Sequence, residues 1–288
     1  MKSIAEQYKT DIFDLWGKNQ HERAILPGLD YVPLWYSDAE IQTVDNVPLL
    51  LFVSLNPSFS ETTFNQIYDF LHKNQTVTEF NEKLCDNRLD CSDKKAFYNS
   101  IENIYRYVEK KNAPNNYHIA LALQHEFRKY GSFFKPVNDM SELIQNGNQN
   151  IATRHIDLFA YRHTEQHGFK KRLYSHTKFF LSQFDLALDL ICNMKPSCVV
   201  VLNAFASRLF AGISLKPELL IYQETMSKKG IEIKYDKRQP NQSMFISERH
   251  TLRIPIFFSS QLSGGASDVF SQHRLAQAIR ERIGLKQF

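Results

Sequence analysis

Residues 48–60 read PLLLFVSLNPSFS. Leu49 to Val53 and then Leu55, past Ser54, form an apolar run too short for a helix core. It suits a strand buried on both faces and closed by a sharp Asn56-Pro57-Ser58 turn. In open α/β sheets the ligand crevice lies off the carboxyl ends of the strands. The polar residues after Leu55 are therefore the first candidates for chemistry, and Phe59 adds an aromatic face. The alternative is an ordinary strand-to-helix turn in which Asn56 and Ser58 only cap the next segment.

Outward from that stretch the same pattern recurs. Ile151 to Phe159 reads as a second buried strand whose end carries Asp157-Leu158-Phe159-Ala160-Tyr161-Arg162. Residues 177–194 (TKFFLSQFDLALDLICNM) form a strongly apolar helix stopped by Pro196; SCVVVLNAF follows as a strand and ASRLF opens another helix, a βαβ crossover. A last strand, Arg253 to Phe258, runs into SSQLSGGASD before a closing helix, Val269 to Ile283. Four buried strands alternating with helices predict an α/β protein, a three-layer αβα sandwich around a central, mostly parallel four-stranded sheet.

The rest of the chain reads as additions to one domain spanning 1–288, with an N-terminal helical extension (1–45) and helical insertions at 66–134 and 214–250. Ile4, Tyr8, Ile12, Leu15 and Trp16 make one stripe of an amphipathic helix. Pro27-Gly28 and Pro33 interrupt the stretch after it. From Phe59 to about Lys111 the periodicity is helical, broken by a polar loop from Asp86 to Asp93, and residues 117–134 look like a further helix ended by Gly131. Within 214–250, IEIKY reads as a short strand and SERHTLR as a loop.

Composition bounds the function. With 43% hydrophobic and 23% charged residues the chain is an ordinary globular one, so disorder is not expected. A net charge of +4 permits a nucleic-acid partner without requiring one. The 22 Phe and 13 Tyr either fill a bulky core or offer stacking surfaces for bases. No apolar run approaches a membrane span, and MKSIAEQYKTDIFDLW lacks the order of a signal peptide, so a cytoplasmic protein with no membrane partner is expected. Cys85 and Cys91, like Cys192 and Cys198, are separated by five residues, outside the usual spacings for zinc or iron–sulfur ligands. His118 and His125 share a helical face without a third ligand. No metal, cluster or other cofactor is expected. The most basic segment, GFKKRLYSH, places Lys170, Lys171 and Arg172 in succession, either as a solvated face or for phosphate contact.

Asn56-Pro57-Ser58-Phe59, Asp157 to Arg162, Asn203 after CVVVL, and Ser259-Ser260-Gln261-Leu262-Ser263-Gly264-Gly265 each follow a strand. In order and content they resemble the uracil-DNA glycosylase superfamily. There the first strand ends in Asp-Pro or Asn-Pro, a middle strand ends in a residue that reads the base, and a segment of pattern P..VVV.LG..A...F follows. MKPSCVVVLNAFASRLF fits that last pattern with Asn203 in place of Gly. The final motif, His-Pro-Ser-Pro-Leu-Ser, is matched in part by FSSQLSGG.

The resemblance implies a glycosylase-like fold and a DNA partner whose modified base, uracil or a relative, is flipped out and excised. It also implies roles. Asn56 orients the attacking water and Ser260 takes the place of the final motif's first Ser, the two catalytic candidates. Pro57, Ser58, Phe59, Asp157, Tyr161, Asn203 and Gln261 line the base site; Leu262 enters the minor groove and Ser263 contacts DNA. With a DNA partner, the basic run Lys170, Lys171 and Arg172 is the candidate for phosphate contact by its charge alone. The family's histidine, which donates to the leaving uracil, falls on Phe258. Phenylalanine cannot donate, and losing one such donor typically costs about a hundred- to a thousandfold in rate. Ser259, Gln261, His250 and His273 are the candidates to substitute. A nucleic-acid or nucleotide-binding module of the same fold is the alternative function, and an unrelated α/β enzyme with a strand-end crevice for a metabolite is a third.

Overall fold

The computed structural model describes residues 4–22, 25–26, 47–56, 137, 139–145, 151–161, 163, 166–235, 238, 242–259 and 269–284. The segments read as helices over 59–111 and 117–134, the loop 86–93, and the pairs Cys85/Cys91 and His118/His125 lie outside these residues.

The chain is an α/β protein built on a six-stranded mixed sheet. Among the described residues its helices and strands are α1 (Ile4–Asn19), β1 (Leu49–Ser54), α2 (139–145), β2 (Ala152–Asp157), α3 (Gln166–Ser175), α4 (Thr177–Met194), β3 (Cys198–Val201), α5 (Ala204–Ala211), α6 (Leu220–Lys228), β4 (Ile231–Lys234), β5 (Met244–Ser247), β6 (Leu252–Phe258) and α7 (Val269–Arg282). The strand order is β2-β1-β3-β6-β5-β4. β1 pairs in parallel with β2 and with β3, and β3 in parallel with β6; β5 pairs antiparallel with both β6 and β4.

All six residues of β1 are buried, because the strand has neighbours on both sides and helices above and below. Alternation sends Leu49, Leu51 and Val53 into one core, with α1, α4, α5 and α6, while Leu50 and Phe52 enter the other, with α2 and α7. Each face is thus filled by one parity of the same strand. β2 departs from the expected fully buried strand. It ends the sheet among the described residues, so only one of its sides is paired and most of its residues are partly exposed.

The expected four-stranded sheet is corrected to six. Among the described residues, 214–250 hold one α-helix, α6, and two strands that extend the sheet, where a helical insertion was expected. IEIK is the anticipated short strand. MFIS was not anticipated, and it folds against β6 through the turn Glu248–Thr251, where Thr251 donates its N–H to Glu248 and takes a left-handed φ of 54°. Lys229, just past α6, pins that helix to α4 by reaching Asp189 at 2.6 Å and Asp185 at 3.1 Å.

α4 ends as its sequence requires. Lys195 adopts φ 48°, its N–H donates to the Ile191 carbonyl, and Pro196 follows and turns the chain into β3. A left-handed residue other than glycine costs roughly 1–2 kcal/mol, against roughly 0.5–1 kcal/mol for glycine's greater freedom when unfolded. Lys195 is exposed and, among the described residues, makes no side-chain bond. Lys195→Gly is therefore expected to stabilise the fold by about 0.5–1 kcal/mol, read as a thermal midpoint about 2 °C higher; an unchanged or lower midpoint would refute the strain.

Candidate functional site

Parallel pairing brings the carboxyl ends of β2, β1, β3 and β6 out along one edge. Ser54 stands opposite Asp157, Val53 opposite Val201, and Val201 opposite Phe258. The ladder continues past the strands: Leu158 and Phe159 donate to the carbonyls of Ser54 and Leu55, Leu202 to that of Val53, and Ser259 to that of Val201. Asn56, Asp157, Asn203 and Ser259 therefore leave the sheet from neighbouring strands.

Asn56 is half-buried, and its Nδ2 donates to the backbone carbonyl of His163 at 2.9 Å. One side chain thus ties the loop after β1 to the loop after β2. The second loop is also held from behind. Gln183 of α4, fully buried, accepts from the Tyr161 N–H at 2.9 Å. The His163 ring lies near-parallel to Tyr161 at 6.4 Å and edge-on to Phe169 at 6.5 Å.

Asp157 ends β2. Among the described residues its carboxyl group makes no hydrogen bond or ion pair, and burial pushes its pKa up to about 8. Its charge reaches Tyr8 of α1, whose hydroxyl is raised first by its own burial and then by Asp157. Below about pH 8 Asp157 is a neutral acid, with one donor and one acceptor to offer. One step further into the sheet, Ser54 Oγ and His155 Nε2 lie 2.8 Å apart, both buried. Burial lowers His155 to about 3 and keeps the imidazole neutral at physiological pH.

Other expected site residues are placed differently. Tyr161 is 0% exposed and packs against Phe169, Phe179 and Phe180, so its ring belongs to the core and not to a crevice wall. Asn203 caps α5: its Oδ1 accepts from the N–H groups of Phe205 and Ala206 at 2.8 and 3.1 Å. The basic run divides because successive helical residues point about 100° apart. Lys170 sits over the Phe205 ring at 4.7 Å, Lys171 is exposed, and Arg172 donates to the carbonyl of Ile25. Lys170 alone of the three is held beside the start of α5, at the edge where the strands end. Phe258 lies edge-on to Tyr235 at 5.6 Å. Pro57, Ser58, Phe59, Ser260, Gln261, Leu262 and Ser263 lie outside the described residues.

Sequence reasoning missed Ser54, His155, His163 and Gln183. Ser54 carried a signal, as the one polar residue inside an apolar run; the others have no local pattern that marks them. Cys192 and Cys198 are free, buried thiols entering the two different cores, and burial pushes Cys192 up to about 11 and Cys198 higher still. Among the described residues no group of three or more His, Cys, Asp or Glu could hold a metal ion, and no helix is long and apolar enough to cross a membrane.

The fold is that of an α/β protein in which four parallel strands finish along one edge. No family model, curated protein or solved structure matches the chain.

Proposed function

We propose that the chain is a divergent uracil-DNA glycosylase-like protein that flips a modified base out of DNA and excises it at the carboxyl edge of the sheet. The observation that carries this reading is the adjacency of four strands. The strands whose ends bear the motif residues are consecutive in the sheet, pair in parallel and finish on one side. On this reading the two helical coverings are the outer layers of an αβα sandwich, and β4 and β5 are additions to a four-stranded parallel centre.

Asn56 orients the attacking water through its amide, which can hold a water but cannot take its proton as a carboxylate would. Asp157, as a neutral acid, donates through its O–H and accepts through its C=O, which suits a base edge offering an N–H beside a carbonyl. Lys170, beside the start of α5, is a cation within the edge that approaching phosphates would meet. Phe258 favours a second reading, in which the same edge binds a nucleobase or nucleotide without cutting, because no imidazole stands there to stabilise a departing uracil anion.

Duplex and single-stranded oligonucleotides carrying uracil and several damaged bases, assayed for abasic sites, decide between the two. Excision is expected on at least one base, and Asn56→Ala is expected to reduce it at least about a hundredfold while the circular dichroism spectrum is unchanged. Binding without cleavage on any base would establish the second reading. Failure to bind DNA, RNA or nucleotide at low salt would overturn both.

A further inference from the structure

The His163 carbonyl can only accept, so the amide bonded to it must present Nδ2, and the orientation of Asn56 is chemically fixed. The ring of the same residue is seated close by. The imidazole stands between Tyr161 and Phe169 and directly above Gly168, in the first turn of α3. A Cβ at residue 168 would fall 2.7 Å from His163 Cε1 and 3.1 Å from Nε2. Gly168 does not have a left-handed φ, so nothing in its backbone asks for glycine. A helical glycine is less favourable than alanine; the first turn of α3 therefore gives up stability for the close approach of one ring.

We infer that Gly168 and His163 are a positioning pair for Asn56: the absent side chain at 168 lets the imidazole seat, the seated ring sets its own carbonyl, and that carbonyl sets the Asn56 amide. The inference rests on the proposed function only for its consequence in excision, and the orientation of Asn56 can be followed without any activity.

The probe is the Asn56 side-chain NH₂ signal in ¹H–¹⁵N spectra of the full chain, with its rate of exchange with water. Gly168→Ala and His163→Ala are each expected to shift the signal and speed its exchange about tenfold, the loss of one hydrogen bond. Because both act through one contact, the double variant is expected to show about the same tenfold and not a hundredfold. Where excision is measurable, kcat falls in each while DNA affinity holds. A signal unmoved in either variant, or effects that multiply in the double, would overturn the pair. Should Gly168→Ala not fold, His163→Ala, which only removes a side chain, decides by itself. Amide signals that behave as expected in a protein that excises nothing would uphold the pair and overturn only the catalytic reading.

Discussion

Asp157→Asn is expected to raise the unfolding midpoint at pH 8 by the largest margin of any single change at this edge, and to leave it unchanged at pH 4. The carboxyl group titrates at about 8 in the folded chain against an ordinary 3.8, because burial disfavours its charge. Below pH 4 both states carry the proton and the site contributes nothing to the pH dependence. As the pH rises toward 8 the unfolded chain ionises freely while the folded chain must keep its proton, so stability falls by up to about 1.4 kcal/mol per unit. Asp157 is partly exposed, which moderates the total by narrowing the shift.

His155 works in the opposite sense. Its folded pKa of about 3 lies below an ordinary 6.5, so stability is complete above 6.5 and is lost as the pH falls toward 3. The two slopes oppose each other between about pH 4 and 6.5, and the wild-type maximum belongs there. Urea titrations from pH 3 to 9 are expected to show the alkaline decline disappearing in Asp157→Asn while the acid decline persists. An equal alkaline decline in wild type and variant would remove Asp157 as its source.

Phe258→His is expected to raise uracil excision by about a hundred- to a thousandfold, the range that one donor to a developing anion supplies. The residue is the last of β6, opposite Val201 and partly exposed against Tyr235, so an imidazole can replace the ring without opening a sealed core. The assay is single-turnover release of uracil by wild type and variant at equal DNA occupancy. A folded variant with an unchanged rate would show that Phe258 does not stand at the histidine position of the final motif. A gain confined to affinity would place the residue in binding alone.

Much of the sheet was legible because burial writes directly into sequence. The run 49–53, CVVV after a helix stopped by Pro196, and the apolar end of β6 all announce strands that have neighbours on both sides. β4 and β5 were less legible: four residues each, with the exposed Glu232 and Lys234 alternating in β4, they draw their order from pairing more than from composition. The site divides similarly. Position at a strand's end was enough to put Asn56 and Asp157 at one edge, since parallel neighbours finish together. The contact between Ser54 and His155 spans 101 residues and leaves no local trace. Asn203 shows the converse, because an asparagine directly before AFASRLF is also a plain helix cap, and its side chain does cap. The basic run divides for a geometric reason: three consecutive charges on a helix make three directions.

The interior position of β1, between β2 and β3, bears on synthesis of the chain. Leu49 contacts Ser197 across 148 residues, whereas β4, β5 and β6 all fall within residues 231–258. At about 5–20 residues per second a ribosome takes roughly 7–30 s to make the partner on the far side of β1. The hairpin at the other end closes within about 10 μs of its own completion. The most apolar strand is thus made early and paired late, and throughout that interval its row of leucines is the surface on which a nascent chain aggregates or a chaperone takes hold.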